Sequence, residues 1–90
     1  MFHLLPLLEM EYNEAIYSFI KKLFFESGLS KRKFAKNHFI EDSTLRDILS
    51  KEDYQISLIT IYRICEGENI NPADFFRKVE DMFPQAKPLK

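Results

Sequence analysis

An all-α domain of five short helices is the fold class that this 90-residue sequence predicts, on three observations. Apolar residues recur at helical spacing in five separate stretches. Helix-stopping and helix-starting residues stand between those stretches. No alternating pattern of the strand kind stands out, and there is no internal repeat or low-complexity block. One compact domain is all that this length supports. With 46% hydrophobic residues and a net charge of −1, intrinsic disorder is excluded for most of the chain.

The first helix begins near Tyr12. Ile16, Phe19, Ile20, Leu23 and Phe24 form its apolar stripe, and Lys21 and Lys22 fall on its outer face. Gly28 stops it where a left-handed C-cap is required. Ser30 is the N-cap of a second, short helix that turns Phe34 and Ala35 inward. A third helix starts at Glu41 or Asp42, with acids in its first turn and Leu45, Ile48 and Leu49 as its buried stripe. Ser50 to Gln55 reads as a polar loop. Ser57 caps a fourth helix carrying Leu58, Ile61, Ile64 and Cys65 at helical spacing, and Gly67 and Asn69 end it. Asn71-Pro72 opens a fifth, since Asn caps well and Pro suits the first helical position. Phe75, Phe76 and Val79 are its inward residues. The expected organisation is an apolar arm or extra helical turn over residues 1–11, a helical domain over 12–81 and a flexible tail over 82–90, kept out of helix by Pro84 and Pro88.

Composition excludes several functional classes. No stretch approaches the roughly 20 apolar residues of a membrane span. The single Cys65 excludes a disulfide scaffold. The opening MFHLLPLLEM lacks a basic region, Pro6 interrupts its apolar run, and Glu9 and Glu11 follow, so no signal peptide is expected and the cytoplasm is the expected compartment. There is no glycine-rich phosphate loop, no paired catalytic acids and no cluster of metal ligands, because His3 and His38 fall on different elements. The expectation is therefore no enzyme, no cofactor, no metal and no small-molecule substrate. Cys65 reads as a small core residue and His38 as a turn residue.

Charge is unevenly placed. Between residues 20 and 40, Lys21, Lys22, Lys31, Arg32, Lys33 and Lys36 face only Glu26; the flanking stretches are acidic. A local basic segment of this kind suits a polyanion, although a solvated helix face has the same composition.

Residues 30–49, SKRKFAKNHFIEDSTLRDIL, have the spacing of a helix-turn-helix. Ala35 is the small residue where two steeply crossing helices approach, the turn falls at His38-Phe39, and Ile40, Leu45 and Ile48 hold the second helix down. Asp42, Ser43, Arg46 and Asp47 are left outward. Here the chain resembles the phage-repressor and Cro-like helix-turn-helix family, also called the xenobiotic-response-element type. The resemblance covers residues 16–76. It rests on Gly28-Leu29-Ser30, Phe34-Ala35, Ser43-Thr44-Leu45 with Ile48, and Ser57-Leu58, Ile61, Ile64-Cys65, Ile70-Asn71 and Phe75-Phe76 as the flanking helices.

The resemblance implies a five-helix, lambda-repressor-like fold and a DNA-binding transcriptional regulator. A recognition helix over about 42–50 would enter the major groove, and the regulator would act as a homodimer on double-stranded DNA. Base contacts fall on Asp42, Ser43 and Asp47, with Thr44 and Arg46 close by. Backbone contacts fall on Lys31, Arg32, Lys36, Ser50 and Lys51. Ser43 and Thr44 also suit support of their own helix's first turn, and Arg46 also suits a surface pair with Asp42 or Ser50.

The chain departs from the family's pattern at four places. Phe39 stands where relatives have a turn glycine with positive φ, so either it is strained there or the turn takes another shape. Phe24 and Leu49 replace a paired Arg and Glu, and a direct apolar contact between them is expected. Glu41, Asp42, Asp47, Glu52 and Asp53 make the expected DNA face acidic. Glu68 takes a place where relatives bury Leu. A protein-interaction module, or an antitoxin-like accessory protein, is the alternative function on the same fold. The apolar Phe2, Leu4, Leu5, Leu7 and Leu8 call for cover by the domain's own core or by a second subunit.

Overall fold

The computed structural model describes residues 10–50 and 55–87. Within them the chain runs β1 (Met10–Glu11), α1 (Tyr12–Ser27), α2 (Lys31–Asn37), α3 (Asp42–Ser50), α4 (Leu58–Glu68), α5 (Pro72–Met82) and β2 (Ala86–Lys87). Five helices thus carry the fold. The two-residue strands pair in parallel, Met10 against Ala86 and Glu11 against Lys87. This pairing holds part of the expected tail against the residues that lead into α1. No helix among the described residues is long and apolar enough to cross a membrane.

The helix ends follow local chemistry. The Glu11 amide donates to Glu14 Oε1 at 3.3 Å, which satisfies the start of α1. Gly28 ends that helix at φ 71°, in the left-handed region that glycine enters without steric cost. Ser30, Ser57 and Asn71 cap α2, α4 and α5 by accepting the amides of Lys33, Thr60 and Asp74. The fourth helix runs through Gly67 and ends at Asn69, whose φ of 60° makes it the left-handed cap.

Helix α1 is the central rod, packed on α2, α3 and α5. Its Ala15, Phe19, Ile20 and Phe24 join Phe34, Leu45, Ile48, Ile61, Ile64, Cys65, Phe75 and Val79 in one core cluster. Phe19 meets Phe75 edge to face at 5.2 Å, and Phe24 meets Phe34 in the same way at 5.4 Å. Leu49 is half-buried against the cluster that contains Phe24. Tyr17, outside the expected stripe, is buried, and its hydroxyl accepts the Ile56 amide at 3.1 Å, which ties the approach to α4 onto α1.

Two expected core residues lie outside. Leu58 is 58% exposed, because it opens α4 and the buried face is rotated toward Thr60, Ile61, Ile64 and Cys65. Phe76 is 40% exposed, since Phe75 and Val79 alone take the inward face of α5. Cys65 is buried as expected, and burial pushes its thiol above the usual cysteine range.

Candidate nucleic-acid interface

Helix α2, the connection 38–41 and α3 lie together, with α2 packed directly on α3. Phe34 and Ala35 are fully buried, so α2 presents Lys31, Arg32, Lys33 and Lys36 to solvent. On α3 the fully buried residues are Leu45 and Ile48. Asp42, Ser43, Arg46, Asp47 and Ser50 are exposed, and Thr44 is half-buried. The helical period explains the division, since positions 45 and 48 share one face and 42, 43, 46, 47 and 50 lie off it. Lys51 lies outside the described residues, as do Glu52 and Asp53.

The turn between the helices is a hydrogen-bonded stop. The Phe39 amide donates to the Lys36 carbonyl at 3.2 Å, and the Ile40 amide to the Ala35 carbonyl at 3.0 Å. This double closure needs a left-handed residue between, and Phe39 supplies it at φ 60°. A bulky side chain is strained there, and Phe39 remains 58% exposed. The Arg63 guanidinium on α4 donates to the Phe39 carbonyl at 3.4 Å.

Beneath the turn lies a polar clasp that sequence reasoning missed. His38 is buried, with Nδ1 2.8 Å from the Phe34 carbonyl oxygen and Nε2 2.7 Å from Glu68 Oε2. Its ring stacks on Phe34 at 3.8 Å between centroids. This gives Glu68 its role: the carboxylate at the end of α4 holds the imidazole of the turn, so a leucine there would leave a ring nitrogen without that partner. Gly67 makes the approach possible. A Cβ on it would stand 2.3 Å from His38 Cδ2 and 2.8 Å from His38 Cα. The interrupting glycine in a helical pattern was the available signal for such a contact.

Charges on the face are partly matched within it. Arg32 Nε lies 3.9 Å from Asp42 Oδ2, an exposed pair joining α2 to the first residue of α3. Asp42 is therefore paired across helices and not with Arg46, which has no hydrogen-bond or ion-pair partner among the described residues. Ser50 Oγ donates back to the Asp47 carbonyl at 3.2 Å. No group of three or more His, Cys, Asp or Glu side chains is gathered for a metal ion among the described residues.

Comparison with protein-family models, with curated proteins and with solved structures gives no match.

Proposed function

We propose that the chain is a sequence-specific DNA-binding transcriptional regulator with a lambda-repressor-like fold. In this reading α2, the turn and α3 are a helix-turn-helix, and α3 enters the major groove of double-stranded DNA. One observation carries the reading. The outer side of α3, with Asp42, Ser43, Arg46 and Asp47, is open to solvent beside four exposed bases of α2, while Leu45 and Ile48 anchor the helix from below.

Each residue type has a use on that side. Arg46 can donate to guanine O6 and N7. Asp42 or Asp47 can accept from cytosine N4. Ser43 offers a hydroxyl to either edge, and the Thr44 methyl suits a thymine methyl. Lys31, Arg32, Lys36 and Ser50 contact phosphates, and the cations among them supply the salt-dependent part of the affinity. Lys51 is assigned the same role from its place in the sequence. A homodimer would present two recognition helices to half-sites about 34 Å apart. Leu58, Ile59 and Tyr62, exposed on α4, supply apolar surface for a subunit contact.

A protein-interaction module is the second reading. It is favoured by the same exposed apolar residues and by Asp42, which engages Arg32 and so reduces the positive charge open to phosphate. Titration of the full chain with random-sequence duplex across a salt series tests the first reading. Association that weakens steadily with salt is the expected result. Absence of association at low ionic strength removes DNA binding and leaves the interaction module.

A further inference from the structure

A groove of about 390 Å³ opens between the start of α1, the outer side of α5 and β2. Tyr12, Ile16, Phe76 and Phe83 line it beside the charged Arg77 and Glu80, and most of its wall is apolar. Tyr12 and Phe76 are among the large apolar side chains left exposed. The groove lies apart from the α2–α3 face: Tyr12 and Ser27 are the two ends of α1, about 22 Å apart at 1.5 Å per residue, and α2 follows the Ser27 end.

We propose that residues 1–9 of this same chain fill the groove. Three observations select this occupant. First, the parallel register sets Met10 beside Ala86 and Glu11 beside Lys87. Phe83 and Ala86 both line the groove, so Met10, where the described chain begins, stands at its edge. Second, that upstream stretch holds Phe2, Leu4, Leu5, Leu7 and Leu8, which gain by leaving water for an apolar wall. Third, the segment is tethered next to its site. A short connection gives an effective concentration of the order of millimolar, which favours the chain's own segment over a second copy in dilute solution. The inference is independent of DNA binding.

A nitroxide attached at His3→Cys in the full chain tests this. Cys65 is buried with its thiol pushed up by that burial, so labelling is directed to position 3. The expected result is loss of amide signal intensity at Ala73, Phe76 and Val79, with Lys31 and Lys33 at the far end of α1 keeping theirs. The loss should persist on tenfold dilution. It should be reversed by Phe76→Asp in the groove, or by Leu7→Asp with Leu8→Asp in the segment, a pair that leaves the core residues untouched. Intensity loss only when spin-labelled and isotope-labelled molecules are mixed would assign the groove to a second copy and overturn the proposal. No loss at the groove, or a loss that neither variant reverses, would overturn it as well.

Discussion

Replacing Gly67 by alanine tests the close approach of α4 to the turn. In an ordinary helix interior this change stabilises by about 0.5–1 kcal/mol, because glycine is costly to order there. Gly67 lies inside α4, so propensity alone predicts a gain. The structure reverses the sign. The new methyl would meet His38 Cδ2 at 2.3 Å, Cγ at 2.6 Å and Cα at 2.8 Å. The ring cannot simply swing away, since it is stacked on Phe34 and bonded at both nitrogens. The contact to Cα involves backbone, so the turn itself must shift. Overpacking of this kind costs about 1–3 kcal/mol, and losing the His38–Glu68 bond adds about 1 kcal/mol. Net destabilisation of about 1–3 kcal/mol is expected after the propensity gain. In a domain of this size that is a fall in Tm of roughly 4–8 °C per kcal/mol. Urea and thermal melts of the full chain measure it. In a His38→Ala background the same change should cost less, because the ring it strikes is gone, while the clash with Cα remains. A Gly67→Ala protein that melts at or above the parent temperature would show that the turn does not approach α4 as described.

The other predictions probe the clasp, the strained residue and the proposed interface. Glu68→Leu should lower stability by about 1 kcal/mol or more, because the buried His38 Nε2 loses its hydrogen-bond partner; a denaturant midpoint equal to the parent's would contradict this. Phe39→Gly should raise the melting temperature modestly, since relief of about 1–2 kcal/mol of left-handed strain outweighs about 0.4–1 kcal/mol of added unfolded-chain entropy; a lower melting temperature would argue against strain at φ 60°. Under the DNA reading, Lys31→Ala or Lys36→Ala should weaken binding to all duplexes and reduce the salt slope by about one. Ser43→Ala or Asp47→Ala should instead change which sequences are preferred in a selection from random duplex. Equal effects of the two classes on every sequence would remove the division of labour.

Local chemistry made much of the fold legible in advance. A cap is decided by a few adjacent residues, so Ser30, Ser57, Asn71-Pro72 and Gly28 mark helix ends wherever the chain packs. The stripe through Phe19, Ile20 and Phe24, and the inward pair Leu45 and Ile48, follow from the period of one helix alone. The division of α3 into a buried and an open side was legible for the same reason. At Phe39 the sequence left two outcomes open, a strained left-handed residue or a turn of another shape, and the structure has the left-handed residue at φ 60°. What tertiary structure decided concerns pairs of elements. Glu68 and His38 are 30 residues apart, and nothing in either neighbourhood announces the other. Gly67 looked like a helix end because the pattern shows a missing side chain, not the imidazole that takes its place. Leu58 and Phe76 lie near the margins of their stripes, where the rotation of a whole helix against its neighbours decides which side of the margin is wet. Arg32 found Asp42 across two helices, although a partner within α3 suited the spacing equally well. Local signals act through bonds along one chain segment, whereas these contacts depend on how rigid rods settle against one another, and that arrangement is set by the packing of the whole core.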